Sequence, residues 1–377
     1  MAQLRDIIKE DCWMTSEILQ RPLKKQKEIE FHKPTLSRED LKGVLECLVD
    51  EHLSSGEIVE RFEKSFCHTF KFKHAISANS LTSAYHLSLL GLGVGPGDAV
   101  ILSSFAPISA LDAIFLLRAK PVLVDLGKNS FHPDVEEFNR KRTASGAKVA
   151  IFDHTFGSLI NISKYELGDT IAIEDYSEAI GATSELISVS KQSVVSICGL
   201  NSENMITTGN GAMITTSDTN LSNQMKSLKS GVSFRRNLGE PKFDYSLIDY
   251  QAALGIEQLS KLGVILERQK KIAVAYLQAV QNSRLETYFA NPAEDTFHRF
   301  PIVVSSQGYE EVERYFKSIH IGTKRTIGEP LHNVLEESKQ DFPNAERLFQ
   351  RGHCIPVYPN LTKDNVQRIA TAIRRIY

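Results

Sequence analysis

The chain has 377 residues, 42% hydrophobic and 24% charged, with a formal net charge of -2. That length buries a sizeable core and suits a large domain with a smaller one, or two comparable ones. No basic excess exists to displace counterions from nucleic acid, and no apolar run is long enough to cross a bilayer.

Residues 1–29 read as an amphipathic helical arm, with Leu4, Ile7, Ile8, Ile18 and Leu19 at roughly helical spacing. Acids inside its apolar pattern set the start apart from a signal peptide. Packing onto its own body is the plain reading of the arm and a partner contact the sharper one. The five cysteines are scattered with no Cys-x-x-Cys spacing, so a zinc or iron–sulfur site is not expected, and reduced thiols in the cytoplasm are. Ser37 with Asp40 three residues on predicts a helix start, and Glu60–Phe70 resumes helix after a break at Gly56. His74–Asn79 reads as a strand running into a helix that opens on Ser80 and Thr82.

Beyond the turn at Gly93–Asp98, short buried strands are predicted near 99–102, 121–125, 149–152 and 171–174. The helix at 109–117 separates the first two, and such alternation predicts a largely parallel sheet covered on both faces. Ligands in such sheets gather at the carboxyl ends of the strands, which predicts that Ser80, Ser104, His154 and Asp175 line one crevice. Residues 196–216 then read as strand, loop, a Gly209-x-Gly211 turn and a returning strand. A long helix around 250–276 leads to a second unit, with strands at 298–304 and 354–357 and helices at 312–319 and 365–376.

In order, these blocks resemble the DegT/DnrJ/StrS family of sugar aminotransferases, which are pyridoxal-phosphate (PLP) enzymes of fold type I. The resemblance covers residues 30–377 and includes Gly91–Asp98, Lys120–Asp125, Pro330-Leu331-His332 and Phe342–Glu346. It implies an α/β fold: a large, mostly parallel sheet domain at 30–260, a smaller α/β domain at 261–377, and the arm at 1–29 as an addition. In the family the central stretch looks like Ser-Phe-His-Pro-x-Lys-x-x-Thr-Thr-Gly, and its lysine holds the cofactor as a Schiff base. Counted back from Thr207-Thr208-Gly209, that lysine position is Asn204, and an amide cannot form the imine.

Other positions of the implied cofactor site also depart from the pattern. Gly199 stands where a phosphate-binding serine is usual. Leu81 replaces the glycine between Ser80 and Thr82, and Pro107 sits where an aromatic ring stacks. Glu178 replaces a glutamine or histidine, and Asp244 and Ser246 fall where a neighbouring subunit lends an asparagine and an arginine. Asp175 keeps the place of the pyridinium partner. The expectation is therefore no covalently bound cofactor, with PLP or its amine form PMP held noncovalently as the alternative, and no metal. Lys191 is not expected to replace the missing lysine.

No catalytic residue is assigned; Asp175, Glu178 and His154 are the candidates, although His154 and His332 also read as packed, hydrogen-bonded histidines. The implied role is a family homologue that has lost transamination and acts as a partner or ligand-binding subunit in sugar or secondary-metabolite biosynthesis. The alternative is an enzyme on nucleotide-sugar or related substrates, using noncovalent cofactor or a PLP-independent reaction. Expected partners are a second copy or a family paralogue, joined across the face bearing Asp244 and the Tyr250–Leu259 helix, and a small-molecule or nucleotide-sugar ligand.

Overall fold

The computed structural model describes residues 27–182, 193–229, 243–289, 292–305 and 307–376. Most of the arm, and Lys191, lie outside the described residues. Of the arm's last residues, Ile29 is buried and forms a parallel bridge with Ile321.

Seven strands form the main sheet: β1 (His74–Ala78), β2 (Ala99–Ser103), β3 (Lys120–Val124), β4 (Val149–Asp153), β5 (Ile171–Asp175), β6 (Val195–Gly199) and β7 (Ala212–Thr216). Their spatial order is β1-β7-β6-β5-β4-β2-β3. The five from β3 to β6 are parallel, whereas β7 runs antiparallel to both β6 and β1. β2, β4, β6 and β7 are buried at every position, as their apolar runs require of strands covered on both faces. The loop through Gly209 and Gly211 reverses the chain between β6 and β7. Parallel register places Asp153 beside Asp175 at the carboxyl ends of β4 and β5, with Ile197 of β6 next in line.

A second sheet, in the order β8-β10-β9, is built from β8 (Phe300–Val303), β9 (Lys324–Arg325) and β10 (Gly352–Ile355). One hydrophobic cluster joins the sheets, from Leu102 and Ile173 through Ile272 and Tyr276 to Phe300, Ile355 and Ile369.

The helix expected at 250–276 is two helices, Asp249–Ser260 and Leu262–Gln281, divided at Lys261. The Lys261 ammonium is drawn to Asp40 at 2.7 Å, the acid of the Ser37/Asp40 capping box that opens the helix Arg38–Val49. A capping role for Asp249 was not visible from sequence. Its carboxylate accepts the amides of Gly56 and Val59 at 2.8 and 3.0 Å and so starts the helix Glu57–Phe70. That helix packs Phe62 flat against Gly255, where a Cβ would lie 2.6 Å from the ring.

Candidate functional site

The carboxyl ends of β4 and β5 open into a crevice of about 300 Å³. Leu81, Phe105, Pro107, Ile108, Phe156 and Ile327 supply much of its apolar wall. Asp153, His154, Asp175, Ser177, Glu178, Asn204, Arg299 and Glu329 supply polar groups. Of the four residues expected to meet there, His154 and Asp175 do so and two do not. Ser80 instead caps the helix Leu81–Gly91, accepting the Ser83 amide at 3.1 Å. Ser104 is fully buried and bonds His332 Nδ1 at 2.5 Å, while its carbonyl accepts the Leu331 amide. The other His332 nitrogen lies 3.1 Å from Glu346, and its ring stacks on Phe342.

Asp175 is buried with both carboxylate oxygens engaged. Oδ2 accepts the Tyr85 hydroxyl from the helix Leu81–Gly91, and Oδ1 accepts the Ser177 hydroxyl and, at 2.8 Å, the Ser177 amide. Burial pushes this carboxyl above the usual range, and the Ser177 and Tyr85 bonds oppose the rise. Burial and the neighbouring carboxylate hold Tyr85 well above an ordinary phenol, so Tyr85 stays the donor.

The segment that includes Asn204 folds back on itself. Its side-chain amide donates to the Gly199 carbonyl, and its own N–H bonds the Asn201 carbonyl at 3.1 Å. The Gly199 amide donates to Ser177 Oγ at 2.6 Å. A Cβ at Gly199 would lie 3.1 Å from both Asn204 Nδ2 and Ser177 Oγ, and 3.5 Å from Leu81 Cδ2. Leu81, Ser177 and Asn204 therefore already fill the corner where a residue-199 side chain would project. Gly199 itself, Ser80, Thr82 and Asp244 are not among the crevice-lining residues. Asp244 is exposed, its carbonyl accepting the Asn79 side-chain amide at 3.3 Å.

His154 lines the crevice with both ring nitrogens engaged by its own chain. Its Nδ1 accepts the Ile160 amide at 3.0 Å, which leaves Nε2–H to donate to buried Glu174 at 2.7 Å. Glu178 accepts the Phe156 amide and faces Arg299 Nε at 3.6 Å and His298 Nε2 at 3.4 Å. Burial and the Arg299 charge keep His298 well below its ordinary value, hence neutral. Arg299 also reaches Glu203 at 3.1 Å.

Sequence reading missed Tyr85, Ser177, Arg299 and Asp153. Asp153 ends β4 as Asp175 ends β5, and that parity was the signal available. Its Oδ2 accepts the Thr155 hydroxyl, while Oδ1 is buried with no hydrogen-bond partner. Burial, joined by the charges of Asp175 and Glu178 against the Thr155 bond, raises this carboxyl to about 6. Among the described residues, no three His, Cys, Asp or Glu side chains are placed to hold a metal, and no helix is long and apolar enough to cross a membrane.

The sequence matches the DegT/DnrJ/EryC1/StrS aminotransferase family over residues 34–374. It is 28% identical over 363 residues to the GDP-perosamine synthase of Caulobacter vibrioides, covering 91% of this chain and 96% of that protein. Among solved structures, the fold matches Spr1654 of Streptococcus pneumoniae, described as a sugar aminotransferase and solved in its PLP form. That match has a TM-score of 0.84 at 19% identity, covering 92% of this chain and 98% of the other. It also matches the Escherichia coli GDP-4-keto-6-deoxy-D-mannose-3-dehydratase with bound hydrated PLP. There the TM-score is 0.81 at 18% identity, covering 92% of this chain and 100% of the other.

Proposed function

The chain belongs to the DegT/DnrJ/EryC1/StrS aminotransferase family, and from that membership we propose that it has given up covalent PLP-dependent transamination and serves as a ligand-binding or partner subunit in nucleotide-sugar metabolism. The observation that carries this reading is Asn204. We read it as standing in the place of the Schiff-base lysine, with its amide nitrogen committed to the Gly199 carbonyl. Among the described residues, no lysine lines the crevice.

The remaining contacts support the same reading, because the residues present do not fit PLP. The cofactor asks for a nucleophilic amine, a free acid beside its ring nitrogen and a polar cradle for its phosphate. Asp175 is the acid, and protein donors engage both its oxygens, Tyr85 on Oδ2 and the Ser177 amide and hydroxyl on Oδ1. A helix N-terminus with free amides would suit a phosphate. Here Ser80 takes the Ser83 amide, and the Leu81 side chain borders the Gly199 corner. A phosphate dianion would also meet the charges of Asp153 and Glu178.

The partner is proposed to be a second copy or a family paralogue. Exposed Leu41, Leu45, Leu48, Val49 and Leu53, on and just after the helix Arg38–Val49, offer apolar surface for such an association. The chemistry is tested by borohydride reduction of PLP-treated protein followed by peptide mapping. The reading expects no stoichiometric pyridoxyl-lysine, and one specific adduct at full occupancy would overturn it.

A further inference from the structure

The helix Arg38–Val49 is apolar on the side it turns to solvent. Its buried residues are Asp40 and Cys47, on the side packed against the helix Asp249–Ser260, where Gln258 Nε2 donates to Asp40 at 3.0 Å. Leu41 (65% exposed), Leu45 (40%) and Leu48 (47%) recur at i, i+4 and i+7, and Val49 and Leu53 extend the row. Of the thirteen exposed large hydrophobic residues among those described, six fall between Leu36 and Leu53, so the exposure is concentrated rather than scattered. A row with alternating four- and three-residue spacing is the kind of seam that a second helix covers.

Residues 1–26 supply a candidate helix from the same chain. They lie outside the described residues, and their sequence places Leu4, Ile7, Ile8, Ile18 and Leu19 at roughly helical spacing. Pro22 bounds that pattern, because a proline disfavours helix in the residue before it. A helix from Leu4 to Leu19 is about 24 Å long and outspans the row from Leu41 to Val49, about 12 Å. The place where the described chain begins sets the tether. The Lys27 carbonyl accepts Arg368 at 3.4 Å, and Ile29 bridges Ile321. Even fully extended, the stretch from Lys27 to Arg38 puts the start of the helix within about 40 Å of Lys27. A helix over 4–19 with residues 20–26 extended reaches about 50 Å from Lys27. A short tether of this kind holds the arm near the row at an effective concentration in the millimolar range. At micromolar protein the chain's own arm therefore reaches the row ahead of a second copy.

We propose that residues 1–26 dock as an amphipathic helix on the Leu41, Leu45 and Leu48 row of their own chain. The arm is then a removable cover on the surface through which a partner subunit associates, and the two compete for one row. The docking stands by itself, and the competition rests on the reading of that row as an association surface.

The test is hydrogen–deuterium exchange with peptide mapping on the full chain and on two double variants, Leu45→Glu with Leu48→Glu and Ile8→Glu with Ile18→Glu. Peptides from β4 and β5 report in each sample that the body is folded. In the wild type, amides of residues 4–19 are expected to exchange at least tenfold more slowly than in the unfolded chain, and equally so after dilution. Leu45→Glu with Leu48→Glu is expected to abolish that protection. Ile8→Glu with Ile18→Glu leaves the row untouched and is expected to quicken exchange over residues 41–49, which keeps the test intact should the first variant not fold. Unprotected arm amides in the wild type, or protection that survives in the row variant, would overturn the docking. Protection lost on dilution would place the arm on a second copy and overturn it as well. Sedimentation of the same samples reads the competition, and Ile8→Glu with Ile18→Glu is expected to associate at concentrations where the wild type does not. Absence of that gain would overturn the competition and the partner reading of the row, whereas the exchange result alone decides the docking.

Discussion

Two sides of one crevice treat their polar groups in opposite ways. On the side of β6 and the helix Leu81–Gly91, the polar groups are turned onto their own chain. Tyr85 and Ser177 bond Asp175, Ser80 bonds the Ser83 amide, and Asn204 bonds the Gly199 carbonyl. On the β4 side, Asp153 keeps an unpartnered buried oxygen. Self-satisfied polar groups rigidify a wall, whereas an unsatisfied one stores free energy. On the first side the polar groups are satisfied within the chain, and on the second one carboxylate oxygen is not.

The largest expected effect comes from trying to reopen the self-satisfied side. Asn204→Lys alone supplies an amine but leaves Leu81 and Gly199 unable to cradle a phosphate. Two missing charge-assisted contacts, at roughly 1.5–3 kcal/mol each, correspond to about 10²–10⁴ in affinity. The single variant is expected to show neither micromolar PLP binding nor amino transfer from glutamate to a keto-sugar nucleotide. Adding Leu81→Gly and Gly199→Ser is expected to tighten PLP at least a hundredfold over the single variant, as followed by absorbance. Steady turnover by Asn204→Lys alone would mean that only the lysine had been lost.

The unpartnered Asp153 oxygen should cost stability, with a pH dependence of definite sign. Asp153 titrates at about 6 in the folded protein against 3.8 in the unfolded chain. Its raised value reflects burial together with Asp175 and Glu178, while Thr155 and His154 pull it down. Tyr85 and Tyr165 also feel its charge. The folded state holds the proton more tightly, so the destabilisation is absent below pH 3.8, grows between 3.8 and about 6, and is complete above. A shift of that size corresponds to about 3 kcal/mol at most. Asp153→Asn is therefore expected to stabilise the chain at pH 7.5 by up to that amount and to give no such gain near pH 4. Denaturant melts of wild type and variant at both pH values check this, and a variant less stable at pH 7.5 would contradict it.

Tyr85→Phe breaks the self-satisfied side from within. It removes the Oδ2 donor of Asp175 and is expected to cost about 1–3 kcal/mol at neutral pH, because a buried carboxylate oxygen loses its partner. A loss below 0.5 kcal/mol, far under that estimate, would show that water or the crevice replaces the hydroxyl readily. The smallest effect is that of Ser80→Ala, which frees the Ser83 amide and should cost about 1 kcal/mol as a lost helix cap. Thermal melts of that variant with and without added phosphate would show whether the freed helix end takes up an anion.

Much of the scaffold was legible in the sequence. Short β-branched runs bounded by turns marked β1 to β7 within a residue or two, because strands covered on both faces must be continuously apolar. The helix break at Lys261 was not legible, and Lys261 there pairs with Asp40, more than two hundred residues away in the chain. Of the site, motif spacing singled out Leu81, Pro107, Glu178 and Asn204, which line the crevice, and Gly199, which does not. It could not show that Tyr85 closes onto Asp175, 90 positions on. Nor could it show that parallel register sets Asp153 beside Asp175. Ser80 and Ser104 were placed in the crevice by their positions after strands, but local capping and the Pro330-Leu331-His332 segment claim them instead.

The central claim is that this family fold no longer accommodates PLP, and the most direct measurement is a PLP titration of the purified full chain. Absorbance reports any internal aldimine, and equilibrium dialysis on the same samples reports cofactor held without a covalent bond. The account predicts no aldimine band and no saturable uptake at micromolar PLP. A band, or one cofactor retained per chain at those concentrations, would contradict it.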